Sequence, residues 1–147
     1  MNLETINILL ADDDVDDCIF FRMALEGLLL SLNLTIVNDG DQLMEYLIEN
    51  SCQLPDVLFL DINMPRKNGL ECLSEIKQDI RLQNLPVVIL STSCSAEKIN
   101  QAFKIGGHIY IHKPRDFGQL KQVISHALPI AVNHEFSKGP VKYILNA

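Results

Sequence analysis

Apolar residues in this chain come in short unbroken runs separated by longer stretches of helical spacing. The runs are Asn7-Ile8-Leu9-Leu10-Ala11, Leu34-Thr35-Ile36-Val37, Val57-Leu58-Phe59-Leu60, Val87-Val88-Ile89-Leu90 and Ile109-Tyr110-Ile111-His112. Short apolar runs bounded by turn residues predict strands buried on both faces, as in a parallel sheet. Between them, apolar positions recur at helical intervals. They are Ile19, Phe20, Met23, Leu25, Leu28 and Leu29, then Leu43, Leu47 and Ile48 with Tyr46 nearby, the helix ending near Asn50. Next come Leu70, Leu73, Ile76 and Ile80, then Ala96, Ile99, Ala102 and Phe103, and last Phe117, Leu120, Val123, Ile124 and Ala127. Gly106-Gly107 is expected to stop the fourth helix and Pro129 the fifth, so that all six prolines fall between elements or in the tail. Strand and helix alternate five times. This predicts an α/β fold, one parallel sheet with helices on both faces. The expected domain covers residues 5–128, and 129–147 form a tail.

Composition narrows the class. With 147 residues and 48% apolar content the chain suits one globular domain. A net charge of −7 argues against a nucleic-acid partner, which needs a basic face. No apolar run approaches the roughly 18–20 residues of a membrane span. Met1-Asn2-Leu3-Glu4 lacks the basic region of a secretory signal, so a cytoplasmic location is expected. Cys18, Cys52, Cys72 and Cys94 are far apart and read as reduced, mostly buried thiols. Asn33-Leu34-Thr35 matches a glycosylation sequon by chance.

The candidate chemistry lies where the strands end. The first strand runs into Asp12 and Asp13, the third into Asp61, the fourth into Ser91 and the fifth into Lys113. In a parallel sheet these ends share one edge, where open α/β sheets bind ligands. Crowded carboxylates cannot all stay ionised without counter-charge. One lysine against three acids leaves a deficit that a divalent cation would fill, and carboxylate oxygens suit Mg²⁺. A hydroxyl and an ammonium at the same edge suit phosphoryl oxygens, and a carboxylate can serve as a phosphoryl-accepting nucleophile. Each residue alone has a plainer reading. Asp61, Asp13 and above all Asp14 could cap helices, Ser91 could end a turn, and Lys113 could be solvated. The agreement of four strand ends favours a shared site.

With those residues in place, the chain resembles a response-regulator receiver domain over about residues 5–128. Asp61 and Ser91 are 30 positions apart, and Asp61 and Lys113 are 52 apart, as in that family. The resemblance implies a flavodoxin-like, doubly wound (βα)5 fold with a five-stranded sheet in the order 2-1-3-4-5. It implies Asp61 as phosphoacceptor, and Asp12 and Asp13 as the acidic pair that with Asp61 holds Mg²⁺, or Mn²⁺, helped by the backbone carbonyl of Asn63. Ser91 and Tyr110 resemble the family's two switch residues. Lys113-Pro114 resembles its Lys-Pro step, cis in the family. Ser91 stands where threonine is commoner. His108 and His112 read as packing or solvent-edge residues. The implied role is a signalling switch and not an enzyme acting on other substrates: a sensor histidine kinase or histidine phosphotransfer protein donates the phosphoryl group, and a downstream protein reads the result. The segment Asp79–Pro86 and the tail are similar to stand-alone receivers of the chemotaxis and phytochrome-partner types.

Other readings compete. Asp12-x-Asp14 suggests an aspartate-nucleophile phosphatase of the haloacid-dehalogenase type, but Asp16 stands where that family wants Thr or Val. A calcium loop over Asp12, Asp14 and Asp16 fails, because Asp17 and Met23 occupy its required Gly and Glu positions. A docking module that is never phosphorylated would not need the full residue set. Beyond the fifth helix 19 residues remain, too few for an output domain, so output is expected through binding another protein or by passing the phosphoryl group on. The polar outer faces of the fourth and fifth helices, with the fifth strand, offer one surface for a partner or a second copy. The tail offers another. It carries Ile130, Val132, Phe136, Val141, Tyr143, Ile144 and Leu145, with Val141, Tyr143 and Leu145 alternating as in a short strand.

Overall fold

The computed structural model describes residues 5–92, 95–133 and 143–145. The elements are β1 (Ile6–Ala11), α1 (Val15–Glu26), β2 (Leu32–Val37), α2 (Gly40–Glu49), β3 (Val57–Leu60), α3 (Gly69–Gln78), β4 (Val87–Ser91), α4 (Ala96–Ile105), β5 (Ile109–His112), α5 (Phe117–Val132) and β6 (Tyr143–Leu145). The strand order is β2-β1-β3-β4-β5-β6. Every pairing is parallel, so the expected order 2-1-3-4-5 holds and a sixth strand extends it beyond β5. Tyr143, Ile144 and Leu145 pair with Ile109, Tyr110 and Ile111 of the same chain. The extended segment expected in the tail is present there as β6; Phe136 and Val141 lie outside the described residues.

Side chains alternate across the sheet and divide the core in two. Ile8, Leu10, Val57, Phe59, Val88, Leu90, Ile109 and Ile111 face α1 and α5. Leu9, Ala11, Leu58, Leu60, Val87, Ile89 and Tyr110 face α2, α3 and α4. Burial on both faces explains why the strands read as continuous apolar runs.

Four expectations need correction. The stripe assigned to α1 is largely its outer face: Ile19, Phe20, Met23 and Leu29 are exposed, and among those named Leu25 alone is fully buried. The buried row is Cys18, Phe21, Ala24 and Leu25. Phe21 and Leu25 share that row with the smaller Cys18 and Ala24 where α1 lies against α5, and helical spacing alone does not tell it from the outer row. Ile80 was counted into α3, but the helix ends at Gln78 and Ile80 is exposed. Pro129 does not stop α5; it sits inside the helix, which continues to Val132. Its fixed φ fits a helix; its costs are the lost N–H bond to the preceding turn and the crowding of its ring against the carbonyl of Ser125. Leu128 and Ala131 are buried on either side of it and hold that turn in place. Finally, Lys113–Pro114 is trans, since no cis peptide occurs among the described residues. For an X–Pro bond trans is the lower state by about 0.5–1 kcal/mol.

Candidate functional site

The ladder that builds the sheet also fixes the backbone of the site. Asp12, Asp61 and Lys113 are each the first residue past a strand, and each is still gripped by its neighbour. Asp12 N–H donates to Val37 O at 3.1 Å, Asp61 N–H to Ala11 O at 3.0 Å, and Lys113 N–H to Ser91 O at 2.7 Å. Register then sets the lateral order. Ala11 pairs with Leu60 and Leu60 with Ile89, so Asp12 and Asp61 emerge side by side, and Ser91 pairs with His112 just before Lys113.

The loop after Asp61 turns back at once because of close backbone contacts. A Cβ on Gly69 would strike the carbonyl oxygen of Asp61, and one on Gly40 would strike that of Lys67. Gly69 N–H donates to Ile62 O at 2.8 Å. Arg66 takes a left-handed φ of 69° to make the turn. Asn68 then starts α3 with a capping box: its side chain accepts from Glu71 N–H at 2.9 Å and its own N–H reaches Glu71 Oε1.

Carboxylate oxygens of Asp12, Asp13 and Asp61 all lie within 4.8 Å of one another. Asp12 and Asp61 are buried, while Asp13 is exposed. Asp12 Oδ1 accepts from Asp14 N–H at 3.0 Å, and Asp61 Oδ1 from Asn63 N–H at 3.2 Å. Lys113 Nζ donates to Asp12 Oδ2 at 2.9 Å and to Asp17 Oδ2 at 2.8 Å, and stands 3.9 Å from Asp61 Oδ2. Burial pushes the Asp61 carboxyl up to about 7; Lys113 opposes that shift, Asp12 reinforces it, and the Asn63 N–H opposes it. Burial works against the Lys113 ammonium, but its bonds to Asp17 and Asp12 prevail and hold it above the ordinary lysine range. A cluster that cannot keep its acids ionised unaided, open on the Asp13 side, has the donor chemistry of a hard divalent cation site.

The strand-end residues named from the sequence thus meet at one edge. Ser91 is wholly buried at the end of β4, and Tyr110 is wholly buried within β5 beneath α4. Asn63 is exposed in the turn after Asp61. Asp14 does not join the cluster; its side chain caps α1 by accepting from Asp17 N–H at 3.0 Å. The Asp12-x-Asp14 pair needed for the phosphatase reading is therefore not assembled. His112 is half-buried with Nε2 3.2 Å from Thr92 O, a packing role as expected.

Two features were not read from the sequence. One is Asp17, whose contact with Lys113 crosses 96 positions and leaves no local signal. The other is the apolar outer face of α1 beside the site. Val15, Ile19, Phe20 and Met23 are 68%, 50%, 49% and 48% exposed, too open for a core face. Phe20 and Phe21 help line a cleft of about 670 Å³ that reaches Asp12, Lys113, Arg115 and Phe117.

Comparison with known proteins agrees with this geometry. The response regulator Rcp1 of Synechocystis sp. is 32% identical over 122 residues, covering 80% of this chain and 82% of that protein. The phosphorylated cyanobacterial phytochrome response regulator RcpA superposes with a TM-score of 0.81 at 31% identity, covering 88% of this chain and 95% of that one. The Mn²⁺-bound form of Rcp1 superposes with a TM-score of 0.74 at 30% identity over 82% and 90% of the two chains. The family model for the response regulator receiver domain matches residues 8–125. This chain, with its parallel sheet and acidic edge, belongs to the response regulator receiver family, a phosphorylation switch of two-component signalling.

Proposed function

We propose that Asp61 is the residue that takes the phosphoryl group, and that a phosphohistidine of a sensor kinase or histidine phosphotransfer protein donates it. An Asp61 carboxylate oxygen attacks phosphorus, the N–P bond of the donor breaks, and its electron pair leaves with the imidazole. Asp12, Asp13, Asp61 and the Asn63 carbonyl would hold Mg²⁺, with Mn²⁺ as a substitute, and the bound cation would neutralise the oxygens of the transferred group. Lys113 contributes a fixed positive charge to the same oxygens. Water later hydrolyses the acyl phosphate, which is the extent of the chain's own catalysis. Ser91 and Tyr110 pass the change to the face of α4, β5 and α5, where a downstream protein reads it. The apolar face of α1 at the mouth of the site favours a protein donor over a small metabolite.

The observation that carries this reading is the meeting of Asp12, Asp13, Asp61 and Lys113 from three strand ends. The test is labelling with acetyl phosphate in Mg²⁺. Asp61→Asn, which keeps the shape but removes the anion, is expected to abolish acid-labile label, and EDTA is expected to abolish it in the unsubstituted protein. Undiminished label in Asp61→Asn, or undiminished rates in EDTA, would overturn the assignment.

A further inference from the structure

Lys113 carries three N–H donors and no acceptor. Two are committed, to Asp12 Oδ2 at 2.9 Å and to Asp17 Oδ2 at 2.8 Å. Asp61 Oδ2, at 3.9 Å, lies beyond hydrogen-bond range, so the third donor is not spent on it. The two anchors come from different elements. Asp12 directly follows β1, while Asp17 stands in the first turn of α1. Asp17 is itself oriented by that turn, its N–H capped by Asp14 Oδ1 at 3.0 Å. The Lys113 side chain is only one-tenth exposed. Were Asp17 neutral, the nearest remaining anion for the freed donor would be Asp61.

We infer that Asp17 is a positioning residue for phosphoryl transfer: it holds the Lys113 ammonium off the Asp61 carboxylate and keeps one N–H free for the incoming phosphoryl oxygen. The inference rests on the proposed role of Asp61 and extends it. With Asp17 in place, the nucleophile's Oδ2 accepts no hydrogen bond from the ammonium, which stands 3.9 Å away in a loose ion pair that an oxygen of the transferred group can bridge. Without Asp17 the ammonium closes on Asp61. The lone pair that must form the O–P bond is then engaged, and the donor's path to it is obstructed.

The test uses phosphoramidate, which needs no protein partner. Its N–P bond breaks as the Asp61 O–P bond forms, and the nitrogen departs as ammonia. Initial rates of acyl-phosphate formation in saturating Mg²⁺ are compared for the unsubstituted protein, Asp17→Asn and Asp17→Glu. Asp17→Asn is expected to slow transfer about tenfold, the scale set by a small misplacement of a reacting group. Asp17→Glu is expected to recover most of that loss. Mn²⁺ affinity, read from the spin resonance of free Mn²⁺, is expected to stay within about twofold, because Asp17 is not among the clustered acids.

A second readout needs neither metal nor turnover. In metal-free, ¹⁵N-labelled protein the Lys113 ammonium, assigned by its loss in Lys113→Met, is expected to give a protected signal that shifts in Asp17→Asn. Equal transfer rates in Asp17→Asn would overturn the inference, as would a loss of Mn²⁺ affinity matching the loss of rate. If the unsubstituted protein takes no label at Asp61, the phosphoacceptor reading fails instead. An unmoved ammonium signal would then reject the hold of Asp17 on Lys113 separately.

Discussion

Helices α1 and α3 both start at the acidic edge, and both carry apolar residues at helical spacing, yet they use them differently. In α3 the buried residues Gly69, Cys72, Leu73 and Ile76 lie on one side, with Glu71, Gln78 and other polar groups outside. In α1 one apolar row is buried and a second, Val15, Ile19, Phe20 and Met23, is left open. The buried row of α1 mixes Phe21 and Leu25 with a cysteine and an alanine; the open row is apolar throughout. Large exposed apolar groups are costly to solubility unless something covers them. The helix that faces only its own core has a clean stripe. The helix expected to meet a partner beside Asp61 has two.

That contrast can be broken at three points. The largest effect is expected at Phe21, which meets Phe59 edge to face with ring centroids 5.0 Å apart. Phe21→Ala should cost about 3–5 kcal/mol in chemical denaturation, on a par with Leu73→Ala in α3 at about 2–5 kcal/mol. One position away, Phe20→Ser should leave stability within about 0.5 kcal/mol. Its effect belongs to partner contact: transfer from a phosphohistidine protein should slow about tenfold, or about 1.4 kcal/mol, while labelling by acetyl phosphate is unchanged. A stability loss in Phe20→Ser comparable to that in Phe21→Ala would erase the distinction between the two faces.

The last point concerns the loop that leads into α3. Asp61 is raised from 3.8 to about 7 in the folded, metal-free protein. A carboxyl whose folded pKa is raised binds more protons when folded, so stability falls as pH rises across that interval. Thermal melts in EDTA should therefore decline from pH 4 to pH 7. Asp61→Asn should flatten the decline and melt higher at pH 7. A metal-free protein whose melting is insensitive to pH, or equally sensitive in Asp61→Asn, would contradict the burial argument.

Much of this was legible in the sequence because it obeys local rules. Strands buried on both faces must be apolar throughout, so the five runs and their order of chemistry could be read directly. Asp12, Asp61, Ser91 and Lys113 could be found because each ends such a run. The inner face of α1 was not legible, since periodicity identifies two apolar rows but not which one meets α5. Pro129 was misread because a rule about backbone donors yields where buried neighbours such as Leu128 and Ala131 hold the turn. In the sequence Asp17 stands out only as the residue that breaks a calcium loop. Its partner lies on another strand, and no spacing rule links a helix's first turn to the end of β5.

The strand ladders run one residue past the strands, through the N–H groups of Asp12, Asp61 and Lys113. Exchange of those amides with solvent is expected to follow the opening of the central sheet. Their protection is therefore tied to the slowest opening of the molecule, although their side chains stand at its rim. A site backbone held in this way is expected to keep its shape if Asp61 takes a phosphoryl group, with the side chains and the surrounding helices as the adaptable parts. On that expectation the backbone of the site follows the clock of global unfolding, while faster local motions remain free to report a modification at its rim.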